Sequence, residues 1–423
     1  MTAATAHRVD GVRLLQRLDD LARIGAIPGT TGNSRLALTD EDRDGRDLVV
    51  TWMRDLGLQV TIDGIGNIVG CQPDHGGRAP VMCGSHIDTV ARGGRYDGNL
   101  GVLAGLEVIE RVMELGIETS RPLAVASFTD EEGARFPPDM LGSLVYVGGL
   151  PLESALDIHG VDGAVLGDEL ERIGYAGSAP CPGRPPAAFV ELHIEQGPIL
   201  DIEDITIGVV ESVQGISWQE LRIEGQSNHA GTTPMHLRRD AGYAAARITT
   251  FVRELAGELG GHQVGTVGVS ELSPGLVNVV AGSSLVTVDL RNTDEQKLRE
   301  AERRLAQMIE HLAADEHVEI SHRSLARFEP VPFDPKVVDL VESTARSLGH
   351  RTRRLPSGAG HDAQMLARVC PTAMVFTKSR DGVSHNPAEH TEPEDLVAGA
   401  DVLLNTMLRL ADDPDLHAEE WSQ

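Results

Sequence analysis

The polarity pattern along the chain changes period several times, and each change marks an element. Leu14, Leu18 and Leu21, three and four apart, predict an amphipathic helix over 8–24. Thr39 followed by Asp40, Glu41 and Asp42 supplies capping chemistry for a second helix. Its stripe runs through Leu48, Val49, Trp52, Met53 and Leu56 until Gly57 ends it. Short β-type runs follow at Gln59–Ile62 and Asn67–Gly70, and the apolar run Val81–Cys83 predicts a buried strand. Val102, Leu106, Ile109 and Met113 then share one helical face, and Pro122–Thr129 reads as a central strand. In Phe189–Glu195 the period is two. Val190, Leu192 and Ile194 face one way, and Glu191, His193 and Glu195 the other, which predicts a strand whose polar face lines a site.

Residues 151–186 are rich in Gly and Pro and read as an ordered surface excursion. After Gly215 the order becomes strand (Trp218–Glu224), long helix (Arg238–Leu259), two strands (Val264–Leu272, Ser284–Arg291), helix (Asp294–Ala314) and strand (Val318–His322). That βαββαβ order predicts an antiparallel sheet with two helices on one face. From Phe333 the α/β pattern returns, with an apolar run at Thr372–Thr377 and a last helix carrying Leu396, Ala400, Leu403 and Met407. The expected architecture is a discontinuous α/β domain with a central mixed sheet, residues 1–214 and 329–423, interrupted by a smaller α+β domain at 215–328.

Composition narrows the partners. The 423 residues fit two or three domains. Acidic residues number 64 against 37 basic ones, a formal net charge of −27, which argues against nucleic-acid or anionic-membrane surfaces. The four cysteines, Cys71, Cys83, Cys181 and Cys370, form no CxxC pair and are expected to be reduced thiols. With no signal-like segment and no apolar run long enough for a span, the expected compartment is the cytoplasm.

Candidate chemistry begins in Gly84–Glu107, GSHIDTVARGGRYDGNLGVLAGLE. A strand ending at a His and resuming as a helix after an Asp is how α/β enzymes place ligands at the carboxyl edge of a sheet. His86 can bind a divalent ion through one ring nitrogen, Asp88 can hold the other ring N–H, and Asp97 can bridge two ions. Read alone, the stretch is equally a polar turn in which Asp97 and Gly98 cap a helix. Glu131, Glu132, His193 and His385 also stand on or just past strands, and each has an ordinary reading as a loop or structural residue. Their joint placement favours ligation, and three His with carboxylates suit Zn²⁺, Mn²⁺, Co²⁺ or Ni²⁺ better than Mg²⁺ or Ca²⁺. The sequence contains neither HExxH nor GxxxxGK[ST], which argues against a helix-based single-metal peptidase and a nucleotide-using synthetase.

GSHIDTVARGGRYDGNLGVLAGLE, FTDEEGARF, ELHIEQGP, SNHAGTTPM, GAGHDA and SHNPAEHTEPED together resemble the di-metal amidohydrolase branch of the aminoacylase/carboxypeptidase superfamily. That branch includes N-carbamoyl-L-amino-acid hydrolase, β-ureidopropionase and allantoate amidohydrolase. The resemblance implies a di-zinc peptidase-like catalytic domain, an inserted lid and dimerisation domain, and two divalent ions per subunit. Asp97 would bridge them, His86 and His193 completing one site and Glu132 and His385 the other. His193, where the peptidase branch more often has Asp, favours a carbamoyl hydrolase. Glu131 matches the general acid/base, and His229 the histidine that serves the oxyanion, generally across a dimer interface. Arg291, Asn278, Gln196 and the Gly360 backbone match contacts to a substrate carboxylate or ureido group. His361 and Asp362 are expected to buttress their loop, and 137–144 to shape the pocket. The implied activity is hydrolysis of an N-carbamoyl-L-amino acid in a homodimer whose domains close on the substrate; allantoate or another ureido or N-acyl amino acid is the alternative, and a non-catalytic binding protein the remote one.

Overall fold

The computed structural model describes residues 6–73 and 77–413. They divide into two compact units, one built from the chain up to Glu211 and from Phe333 onward, the other from Ser212–Pro332.

The strands are, in chain order, β1 (Gln59–Ile62), β2 (Ile68–Cys71), β3 (Val81–His86), β4 (Leu123–Phe128), β5 (Ala188–Ile194) and β6 (Ile207–Val213). The inserted unit adds β7 (Gly215–Glu224), β8 (Asn228–His229), β9 (Val264–Ser273), β10 (Val279–Val280), β11 (Ser283–Asn292), β12 (Glu319–Phe328) and β13 (Val331–Pro332). The first unit then resumes with β14 (Thr352–Ser357) and β15 (Thr372–Thr377).

In the first unit the sheet runs β1-β2-β4-β3-β5-β15-β6, with β14 also on β6. The middle, β4-β3-β5-β15, is parallel, and antiparallel pairs flank it on both sides. Every residue of β3, β4, β5 and β15 is buried, as a parallel sheet covered on both faces requires. The polar face of β5 is therefore dry along its whole length. Glu191 points into the protein, where Ser85 Oγ (2.6 Å) and the Ala363 N–H (2.7 Å) donate to it. Alternation marks which side a residue faces but not whether that side is wet.

The helix Asn99–Glu114 also differs from its predicted single stripe. It is buried on nearly all sides, with Met113 turned out at 48 % exposure. Gly101 and Gly105 permit this: a Cβ on either would lie 2.6–2.8 Å from Leu192 O and Ser85 or from Cys83 and Val125. The helix backbone thus rests directly on the sheet, while Pro393–Ala411 packs on it as well. The first two helices run Gly11–Ala22 and Asp40–Asp55, the second capped by Thr39 Oγ1 accepting from the Asp42 N–H at 3.3 Å. Within it Arg46 is buried, its Nε on Asp42 Oδ2 at 2.7 Å and its Nη1 on the Gly66 carbonyl. The 151–186 excursion folds into short helices that bury Ala155, Leu166, Leu170 and Ile173, so it adds core as well as surface.

The inserted unit is an antiparallel sheet, β12-β7-β11-β9, whose buried Leu221, Ile223, Val286 and Val288 pack with the helices Ala241–Leu259 and Glu295–Asp315. It extends slightly beyond 215–328, because β6 runs on into Val213 and pairs there with Val331. β12 continues to Phe328, past the expected His322; its polar, exposed sequence hides its length. The β8–β10 ribbon, with His229 opposite Val279, was not anticipated. No described helix is long and apolar enough to cross a membrane, and no disulfide joins the four cysteines.

Candidate metal centre

The parallel strands of the first unit deliver their carboxyl ends to one edge, the place where open α/β sheets bind ligands. β3 ends at His86, in register with Phe128, the last residue of β4 before Asp130, Glu131 and Glu132. β5 carries His193 opposite Phe376 of β15, which leads on toward His385. Asp97 stands just before the helix that returns from β3.

These side chains converge. His193 Nε2 lies 3.1 Å and His86 Nε2 3.8 Å from Asp97 Oδ1. His385 Nε2 lies 3.4 Å from the other oxygen, Oδ2, and 3.3 Å from Glu132 Oε2. In each of the sets His86–Asp97–His193 and Asp97–Glu132–His385 the ligand atoms are within 4.8 Å of one another. One carboxylate thus presents an oxygen to each of two clusters. Glu131 Oε2 sits beside them, 3.3 Å from His86 Nε2.

The ring orientations show that the donor set fits cations. His86 Nδ1 faces the Asp88 carbonyl at 2.9 Å and His193 Nδ1 the Ile194 carbonyl at 2.8 Å. A carbonyl only accepts, so each Nδ1 carries an N–H; the His86 Nε2 then turns a lone pair toward the carboxylates, while the His193 Nε2 can bring Asp97 a second proton that a cation would replace. Lone pairs and carboxylate oxygens aimed at one another need a positive charge between them. The buried His86 Nε2 makes no hydrogen bond. Asp88 accordingly holds His86 through its main chain, not its side chain, a correction to the expected contact. Its carboxylate accepts instead from the Glu131 and Glu132 N–H groups, each at 3.3 Å, and so orients the acidic pair.

The electrostatics agree. Burial pushes Glu131 well above the usual carboxylate range, with Asp362 and Glu132 adding to it, and burial beside Asp97 does the same to Glu132. Burial lowers His86 to about 4. His193 rises to about 9 although burial opposes this, because Asp97 accepts its hydrogen bond. Asp97, which burial alone would raise, is held well below the ordinary range by His193 and His385. Backbone strain collects here too: Asp130, Gln196 and His385 have φ of 54°, 56° and 52°. Gly98, at φ 66°, is required on two counts, since a Cβ there would also fall on the His86 ring.

A model of the peptidase family M20/M25/M40 matches residues 82–409. The chain belongs to this family. An N-carbamoyl-L-amino-acid amidohydrolase from Rhizobium meliloti is 42 % identical over 411 residues, covering 96 % of this chain and 98 % of that one. Another from Geobacillus stearothermophilus is 40 % identical, covering 95 % and 99 %. The crystal structure of an amidase of the hydantoinase/carbamoylase family from Burkholderia multivorans superposes with a TM-score of 0.93 at 45 % identity, covering 96 % and 99 %. The α/β domain with its mixed sheet and inserted lid-type subdomain is this family's fold.

The remaining candidates are distributed over both units. Gln196 donates from Nε2 to Asp97 Oδ2 at 2.9 Å, which places it beside the two candidate ligand sets. Gly360 lies against Met140, whose sulfur would be 3.2 Å from a Cβ there. His361 bonds Ser357 at 2.8 Å and stacks edge-on at 4.5 Å against His193, and its ligand atoms also fall with those of Glu191 and His193 in a third buried set. On the inserted unit, the β8–β10 ribbon brings His229 beside Val279, next to Asn278, and both named candidates are exposed. Arg291, on the β11 face away from the helices, donates to Asp289 at 2.9–3.1 Å and lies 5.9 Å from the Trp218 ring centre. Sequence reasoning missed Glu389, buried directly behind Asp97; the only available signal was a carboxylate inside the motif that carries His385.

Proposed function

We propose that this protein hydrolyses the carbamoyl C–N bond of an N-carbamoyl-L-amino acid, giving the amino acid, ammonia and carbon dioxide. The observation that carries the reading is the Asp97 carboxylate, one oxygen on the His86–His193 set and one on the Glu132–His385 set, with Glu131 alongside. The names of the Rhizobium and Geobacillus relatives support the substrate class.

Two divalent ions, Zn²⁺ or Mn²⁺, Co²⁺ or Ni²⁺, would be held by these two sets and would supply Lewis acidity, acidifying a shared water and polarising the substrate carbonyl. Glu131, its proton affinity raised by burial, takes the proton of the attacking water and delivers it to the leaving amino-acid nitrogen. Asp88 keeps Glu131 and Glu132 on separate duties by fixing their backbone. The Gly231 and Thr232 N–H groups donate to His229 Nδ1 at 3.0 and 3.2 Å, so its Nε2 carries the N–H that can serve the tetrahedral oxyanion. Arg291, its guanidinium plane fixed by Asp289, grips the substrate carboxylate, and Asn278, Gln196 and the Gly360 backbone contact the carboxylate or the ureido group. The exposure of His229 and Asn278, beside Leu276 and Val277 at 59 % and 106 %, supports a homodimer in which that ribbon is covered. A cytoplasmic setting suits four cysteines that form no disulfide.

Ammonia release from a panel of N-carbamoyl-L-amino acids, set beside allantoate, N-acyl amino acids and dipeptides, tests the reading. Turnover of the carbamoyl series above the others is expected. Robust hydrolysis of dipeptides or N-acyl amino acids with none of the carbamoyl series would overturn it.

A further inference from the structure

Behind the bridging carboxylate lies a second one that takes no place in either ligand set. Glu389 is 2 % exposed. Its Oε1 accepts from the Tyr96 N–H at 3.0 Å and the Asp97 N–H at 3.3 Å. Its Oε2 is 3.1 Å from Ser384 Oγ, and that hydroxyl is also 3.2 Å from Asp97 Oδ2. Gly94 completes the arrangement: a Cβ there would collide with the Glu389 carboxylate, although no unusual φ asks for glycine at that position.

We propose that Glu389 is the positioning residue of the bridge, fixing the backbone of Asp97 from one oxygen and its Oδ2 through Ser384 from the other. A bridging carboxylate must hold both oxygens at set directions, because rotation about its Cβ–Cγ bond moves one toward its ligand set while moving the other away. Gln196 and Ser384 restrain only Oδ2, whereas Glu389 restrains the main chain from which the whole side chain departs. The inference rests on the di-metal reading above. It assigns Glu389 no contact with substrate.

The test uses Glu389→Ala, Glu389→Gln and Gly94→Ala in the full-length protein, with three readouts: metal per chain after dialysis, the visible spectrum of the Co²⁺-loaded form, and kcat against KM. Glutamine keeps an acceptor for the two N–H groups, and its NH₂ can donate to Ser384 Oγ, leaving the one Ser384 O–H for Asp97 Oδ2, so it should rescue. Glu389→Ala should lose metal, show an altered Co²⁺ spectrum and lower kcat by about 10- to 100-fold with KM little changed, the range typical of contacts that orient metal ligands. Gly94→Ala, which displaces Glu389 without removing it, should do the same, and Glu389→Gln should stay within about threefold of wild type. Full metal content, an unchanged Co²⁺ spectrum and full kcat in Gly94→Ala and folded Glu389→Ala would overturn the proposal while leaving the di-metal reading standing. If Glu389→Ala does not fold, the Gly94→Ala and Glu389→Gln pair decides alone. Wild-type protein that takes up fewer than two ions per chain would bring down both.

Discussion

Replacing Asp97 by Asn tests the bridge most directly, and the structure predicts an asymmetric result. An amide offers one acceptor and one donor where the carboxylate offers two acceptors. Oδ2 receives the Gln196 amide at 2.9 Å and faces the Ser384 hydroxyl at 3.2 Å, so the Asn oxygen will settle on that side. The NH₂ group then turns toward the Nε2 atoms of His86 and His193, where Oδ1 now lies 3.8 and 3.1 Å away. The His86–His193 set loses its carboxylate ligand outright, and the Glu132–His385 set keeps an oxygen but loses charge. Removing one unit charge about 4 Å from a unit positive charge costs about 4 kcal/mol at an effective permittivity near 20. That is roughly a thousandfold in affinity, and more for a dication. Both ions should therefore bind at least about a thousandfold more weakly, the His86–His193 ion most of all. Equilibrium dialysis against buffered free metal, followed by elemental analysis, reads both occupancies. His86→Ala is the control and should empty chiefly one site. Full occupancy of both sites in Asp97→Asn, at free metal that just saturates wild type, would refute the bridging assignment.

Glu131→Gln should keep its metal and its fold while kcat falls by about 10²–10⁴, the usual worth of a general acid/base; retained turnover would remove Glu131 from that role. Arg291→Lys should raise KM for the carbamoyl substrate by about 10- to 100-fold with a smaller change in kcat, because a point charge cannot reproduce the fork; steady-state kinetics showing an unchanged KM would count against it. Gly98→Ala combines backbone strain with a collision against His86, so it should cost about 1–3 kcal/mol in chemical denaturation and lower metal content; a variant as stable and as metal-rich as wild type would contradict the packing. His193 keeps its proton up to about 9 through Asp97, and an incoming cation must displace it. Metal affinity should thus weaken as pH falls below about 9, by about tenfold per unit for that one group, with proton release visible in calorimetry across buffers of different ionisation enthalpy; affinity independent of pH there would refute it.

The elements with a clear period were legible in the sequence, and so was the placement of ligand types at strand ends. The stripe of Leu14, Leu18 and Leu21 is the buried face of the first helix, and the βαββαβ order of the inserted unit is its observed sheet with two helices. Periodicity failed where polarity and burial part company. β12 is exposed along most of its length, and its second half, with Leu325, Ala326 and Phe328 interrupted by Ser324 and Arg327, keeps no strict alternation to announce it. Glu191, Arg46 and Glu389 failed in the opposite sense. Each is buried with partners on other elements: Ser85 for Glu191, Gly66 and Thr129 for Arg46, Tyr96 and Asp97 for Glu389. A charged residue that is paired and dry looks the same in a sequence as one that is solvated.

The finest level of the site was illegible for a different reason. Which nitrogen of His86 and His193 faces the carboxylates is decided by the main-chain carbonyls of Asp88 and Ile194. Every residue type supplies a carbonyl, so no choice at positions 88 or 194 could encode that contact. The Asp88 side chain was visible, and its obvious use, on the ring of His86, proved to belong to its own backbone. Freed from that duty, the carboxylate holds the two N–H groups of Glu131 and Glu132 and so ties the end of the strand carrying His86 to the loop carrying Glu131. Asp88→Asn therefore separates two accounts that a sequence cannot. Were the side chain the support of His86, the variant would lose metal first; because it supports the acidic pair, the variant should retain the His86–His193 ion and lose kcat, with the Glu132–His385 ion the weaker bound.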